Sequence, residues 1–97
     1  MKIENEDLEQ LKLEVKQSII NQVGETEYYK MISDSLEKLG QIKHAIYDMF
    51  PDDDIQDKKR DFKKAVIDEL VFEKYENEND QLFYIGYYES VFDVFEF

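Results

Sequence analysis

The chain has 97 residues, with 24 Asp or Glu against 12 Lys or Arg, a formal net charge of -12 and 42% apolar residues. That length admits a single acidic domain, residues 1–97, with one modest core. Seven Tyr and seven Phe without a low-complexity run are more than a disordered acidic tail holds, so the chain is expected to fold, and the absence of Cys excludes disulfides, thiolate metal sites and Cys nucleophiles together.

The opening Met1-Lys2-Ile3-Glu4-Asn5-Glu6-Asp7 is acidic and lacks the apolar run of a secretory signal, and no stretch approaches the roughly 18 apolar residues of a membrane helix. A cytoplasmic chain without membrane contact is the expectation. Its bias toward Lys, Ile, Asn, Phe and Tyr and away from Gly, Ala, Arg and Pro is that of AT-rich coding, which points to a low-GC bacterium or to a phage or plasmid within one.

From Asn5 to Val23, Leu8, Leu11, Val15, Ile19 and Val23 recur at three- and four-residue spacing and predict an amphipathic helix, capped by Asn5 and ended by Gly24. Thr26 is the expected cap of a second helix running to Phe50 and stopped by Pro51. Its stripe reads Tyr29, Ile32, Leu36, Leu39, Lys43, Ile46, Phe50, and Gly40 marks a bend or a close helix crossing. A third helix is predicted to begin within Pro51-Asp52-Asp53-Asp54 and to continue through Ile55, Phe62, Val66 and Leu70 toward Tyr75, although Leu70-Val71-Phe72 also reads as a short strand. Glu76-Asn77-Glu78-Asn79-Asp80 reads as a loop.

The final segment, Gln81 to Phe97, has strand propensity but helical periodicity. At 100° per residue Gly86, Glu89, Ser90, Asp93 and Glu96 fall within an arc of about 120°, and the apolar and aromatic residues fill about 200°. A helix is therefore expected there, with a strand as the alternative. The expected fold is all-α, an antiparallel bundle of three to four helices.

Several chemistries are weighed and set aside. His44 stands alone on the polar side of its helix, and without Cys or a second His it anchors no zinc or di-iron site of the usual kind. Asp52 to Asp57 begins like a calcium loop, but its sixth position is Asp57 instead of Gly and its twelfth is Lys63 instead of Glu. Glu6 with Glu9 and Asp34 with Glu37 have the three-residue spacing of the helical magnesium sites in all-α nucleotide pyrophosphohydrolases, yet both pairs face away from their apolar stripes. No enzyme, metal or cofactor is expected. The basic run Lys58, Lys59, Arg60, Lys63, Lys64 is matched by neighbouring Asp57 and Asp61, and the overall charge repels a polyanion, so direct nucleic-acid binding is not expected either.

Residues 75 to 97 hold Glu76, Glu78, Asp80, Glu89, Asp93 and Glu96, no Lys or Arg, and eight aromatic rings. One reading makes this the most buried helix of the bundle, with its acids on the wet edge. The other makes Glu76, Glu78, Asp80, Tyr84, Tyr87, Tyr88, Glu89, Asp93 and Glu96 a partner-binding surface, because Tyr and Phe anchor interfaces and carboxylates complement a basic site. In general character alone, with no motif or aligned segment behind it, such a chain resembles the DNA-mimic and anti-defence (anti-CRISPR, anti-restriction) inhibitors of phages and mobile elements. The expected function is thus a non-catalytic inhibitor that occupies the nucleic-acid site of a basic protein. The alternatives are an immunity or antitoxin protein that plugs a basic nuclease or toxin, and a homodimeric assembly protein paired through Ile32, Leu36, Leu39, Ile46 and Phe50, with Lys58 to Lys64 docked on its neighbour's acidic end.

Overall fold

The computed structural model describes residues 5–97, with side chains from Asp7 onward; the cap expected of Asn5, the carboxylate of Glu6 and residues 1–4 lie outside the described part. Four α-helices occupy it, α1 (Asn5–Val23), α2 (Glu25–Met49), α3 (Ile55–Ile67) and α4 (Glu78–Val94), and a π-helical turn, Asp68–Phe72, continues α3. There is no strand among the described residues, and the fold is the expected small all-α bundle.

The helices alternate in direction. Gly86 of α4 lies against Leu11 and Val15 of α1, and Asp93 pairs with Lys12, which sets α1 and α4 antiparallel. Ser35 meets Tyr87 and Lys43 meets Glu96, so α2 runs with α4. Phe62 meets the rings of Phe92, Phe95 and Phe97 while Tyr75 meets Tyr84, so α3 runs against α4.

Local chemistry explains the boundaries. One residue, Gly24, separates α1 from α2. Its N–H donates to the Ile20 carbonyl at 2.9 Å and its own carbonyl accepts from Tyr28 N–H at 3.1 Å, so it closes one helix and opens the next. Its φ of 89° with ψ of 162° is a region open essentially to glycine alone. Thr26 therefore lies inside α2 and caps nothing, contrary to the expectation from sequence. The Asp54 side chain caps α3 by accepting from Asp57 N–H at 2.9 Å. Asn77 caps α4 by accepting from Asn79 N–H at 2.8 Å and Asp80 N–H at 3.3 Å. The predicted loop 76–80 is thus shortened, and its second half is the first turn of α4. Leu70-Val71-Phe72 forms the π turn, not a strand: the wider turn puts Val71 in the core while Phe72 is left 48% exposed.

The core gathers Val15 and Ile19 of α1, Ile32, Leu39 and Ile46 of α2, Phe62 and Val66 of α3, Val71, and Tyr87, Tyr88 and Val91 of α4. In α2 the buried tyrosine is Tyr28, and Tyr29 of the predicted stripe is exposed. The close helix crossing falls at Gly86, where a Cβ would meet Leu11 Cγ at 2.8 Å and Val15 Cγ2 at 2.9 Å, whereas around Gly40 there is open space. Because α1 backs directly onto that glycine, Gly86→Ala is expected to destabilise the fold by about 1–3 kcal/mol, the usual cost of overpacking, read as a lowered midpoint of thermal unfolding by circular dichroism. Gly40→Ala, in open space inside a helix, is expected to be neutral or stabilising in the same measurement.

Candidate acidic and aromatic surface

The nine residues singled out from sequence fall into three environments. The first is the chain reversal before α4. Glu76, Glu78 and Asp80 are exposed there, and half-buried Tyr84 stacks on Tyr75 with ring centroids 4.3 Å apart and planes 9° apart. Hydrogen bonding to Tyr84, with burial added, pushes the Tyr75 hydroxyl up to about 12. The end of the π turn and the residues after it bring further groups to this reversal that the sequence reading did not include: exposed Glu69, Phe72 and Glu73, with Lys74 the single cation between Asp68 and Asp80. Since the helices alternate in direction, the turn at Gly24 lies at the same end and adds exposed Glu25 and Glu27.

The second environment is the core. Tyr87 and Tyr88 are buried, with their rings edge to face at 5.0 Å, and burial pushes both hydroxyls up. The Tyr87 hydroxyl lies 2.7 Å from the Ser35 hydroxyl, so each satisfies the other in the interior. These two tyrosines are core residues and not interface anchors, which corrects their assignment to a binding surface. The helix holds them inside because α1, α2, α3 and the π turn pack around it, and these neighbours cover most of its wide apolar arc.

The third environment is the seam between α4 and its neighbours, where Glu89 is half-buried while Asp93 stays exposed but is paired with α1. The small side chains at Gly86 and Ser90 let α1 approach the polar arc itself. Lys12, only 12% exposed, donates to Asp93 Oδ2 at 2.7 Å and to Glu9 Oε1 at 2.8 Å, and both contacts raise its pKa above the usual lysine value. Glu89 is half-buried beside this group. Desolvation pushes its carboxyl above the usual range, against the opposing pull of Lys63 from α3 and Lys12 from α1. Glu96 lies beyond the end of α4 with its side chain exposed, and its carbonyl accepts from Lys43 Nζ at 3.3 Å. At 1.5 Å per residue, α4 separates Glu78 from Glu96 by about 25 Å, so the nine residues do not share one face.

Four lysines lie across aromatic rings of their own chain. Lys58 lies over the Tyr47 ring at 4.5 Å, Lys63 over Phe92 at 5.5 Å, Lys43 over Phe97 at 5.5 Å and Lys16 over Tyr28 at 5.9 Å. Arg60 sits 3.3 Å from Asp57 and 3.7 Å from Asp61, so within the basic run of α3 Lys58, Arg60 and Lys63 meet rings or carboxylates of their own chain, while Lys59 and Lys64 are exposed. His44 is exposed beside Asp48 at 3.5 Å, and Asp34 and Glu37 are exposed on α2, while Glu9 is bound to Lys12. Among the described residues no three His, Asp or Glu side chains come together as a metal site, and no described helix is long and apolar enough to cross a membrane.

No protein-family model, curated protein or solved structure matches the chain.

Two outcomes follow from these environments. Tyr87→Phe and Ser35→Ala each strand a buried hydroxyl and are expected to cost about 1–3 kcal/mol, while the double variant costs less than the sum of the two, as denaturant unfolding of all four proteins would measure. Glu89 has a folded pKa above its unfolded value, so its charged form opposes folding at neutral pH and that penalty disappears as pH falls through the folded value. Glu89→Gln is therefore expected to raise the melting temperature at pH 7, with the difference from the parent shrinking toward pH 4.

Proposed function

We propose that the chain is a non-catalytic inhibitor that binds the basic, nucleic-acid-handling surface of another protein, of the DNA-mimic or anti-defence kind, and that the contact is made by the acidic end of the bundle at the reversal between α3 and α4. The observation that carries this reading is the local sorting of charge: Glu69, Glu73, Glu76, Glu78 and Asp80 stand exposed beside Phe72 and the Tyr75–Tyr84 stack with Lys74 as the single cation of that stretch, while Lys12, Lys43, Lys58 and Lys63 contact rings or carboxylates elsewhere in the bundle. A net charge of -12 corresponds to about 20 Å of duplex DNA at one charge per 1.7 Å, and the short dimensions of the bundle are 29 and 25 Å. Such a body presents a few base pairs' worth of charge on a rigid scaffold. Long-range attraction speeds encounter with a basic groove, including the basic active site of a nuclease, and the apolar patch at the same end slows release.

The self-pairing alternative is disfavoured, because Ile32, Leu39 and Ile46 of its seam are buried inside one copy and Lys63 of the basic run already lies over that copy's own Phe92.

Charge reversal belongs at Glu69, Glu73 and Glu76, not at Glu89 and Asp93, where a new Lys would confront Lys12. The first two follow the carboxyl end of a helix, where a cation is favoured, so Glu69→Lys/Glu73→Lys/Glu76→Lys is expected to stay folded. Immobilised protein should retain its partner from the lysate of a low-GC bacterium at 50 mM salt, release it at 500 mM, and release it to added duplex DNA or RNA. The triple variant should retain none. A partner that nucleic acid does not displace and that the triple variant holds unchanged would refute the mimic reading.

A further inference from the structure

Seven large apolar side chains are exposed among the described residues, and four of them, Val23, Met49, Ile55 and Phe72, lie at chain reversals. The other three converge. Leu13 of α1 (64% exposed), Tyr29 of α2 (52%) and Val94 of α4 (59%) border one groove of about 550 Å³ whose lining continues inward to Leu36 and Ile32. Apolar groups brought together from three helices make a patch, which isolated surface residues do not.

The polar groups of the groove are sorted as well. Of its two lysines, Lys12 is mostly buried between Glu9 and Asp93 at 2.8 and 2.7 Å, while Lys16 is exposed with its ammonium 5.9 Å from the Tyr28 ring centroid. Both carboxylates remain exposed at the rim, sharing one ammonium, and each keeps a second oxygen for another donor; Lys16 balances the formal charge of the lining, so the pull on a cationic partner comes from these oxygens and from the chain's net charge of -12. A groove with an apolar floor and carboxylates on its edge fits an amphipathic helix that carries Lys or Arg beside its apolar stripe.

We propose that this groove, between α1, α2 and the end of α4, is a docking site for a basic amphipathic helix of another protein, with apolar side chains at i, i+3 and i+4 seated between Leu13, Tyr29 and Val94 and with flanking cations on Glu9 and Asp93. A second copy does not supply such a helix. Its one basic helix, α3, already buries its apolar residues Phe62 and Val66 in its own core, and two bodies of charge -12 repel. The proposal requires a basic helix and does not require that the partner handle nucleic acid, so it stands or falls separately from the inhibitor reading.

The test is titration of the isotopically labelled full chain, at 150 mM salt, with a synthetic 18-residue peptide of Leu and Lys in amphipathic helical register, beside a Leu and Glu peptide of the same apolar pattern. Amide shifts are expected to concentrate around Leu13, Tyr29 and Val94. Leu13→Lys, and independently Val94→Lys, should weaken binding at least tenfold while the helical circular dichroism is unchanged, and the acidic peptide should bind at least tenfold more weakly than the basic one. The proposal is overturned if the basic peptide does not bind, if its shifts map to Glu69–Asp80, if both Lys variants bind it as the parent does, or if the acidic peptide binds equally well. A micromolar dimer that Leu13→Lys dissolves would overturn it too, by assigning the groove to a second copy.

Discussion

The approach of α1 to α4 across Gly86 is the contact on which the rest of the molecule depends. Helix α4 carries rings around most of its circumference and leaves only one narrow arc of small and acidic residues. With any side chain at position 86, Leu11 and Val15 could not reach the backbone of that arc. With glycine there, α1 closes over it, Val15 enters the core, and Lys12 is carried to Asp93 and toward Glu89. The polar stripe of the most aromatic helix becomes an inter-helix seam, and the aromatic arc is left to α2, α3 and the π turn. A helix flanked by neighbours along its middle is then stabilised mainly by ring packing and burial, which offset the internal repulsion of a chain with twice as many acids as bases.

The helices were legible in the sequence because burial of one stripe imposes a period that composition cannot hide. Their ends were less so. Asn77 stands among acids and asparagines, a composition shared by loops and helix starts, and only its bonds to Asn79 and Asp80 distinguish the two. Thr26 has the better capping side chain, but Gly24 is the residue that can take the turn demanded by two helices one residue apart. The π turn had no local signal, since the extra residue is accommodated to seat Val71 in a core assembled from distant segments.

The candidate surface was half legible for a related reason. Counting residues revealed that acids and rings concentrate after Tyr75, but helical facing specifies only which side chains point together, not which direction is outward. The arc containing Gly86, Glu89 and Asp93 has the composition of a wet face, and a glycine in such an arc is equally the mark of a neighbour at close range. The sequence also shows where lysines occur without showing that they lie across aromatic faces, because those rings belong to other helices: Lys63 of α3 covers Phe92 of α4 and Lys43 of α2 covers Phe97. Such pairing is set by tertiary geometry.

The one-residue hinge at Gly24 bears on how the chain assembles. With α1 and α2 joined so tightly, and α2 joined to α3 by a reversal ending at Asp54, two antiparallel hairpins form from neighbours in sequence. Pairing α1 with α4 instead requires closing most of the chain into a ring, the largest loop entropy in the fold. Topologies dominated by local pairs fold fast, and the pair that closes the ring joins late. The Gly86 crossing therefore belongs to the downhill side of the folding barrier, where weakening it speeds unfolding and leaves the folding rate nearly unchanged.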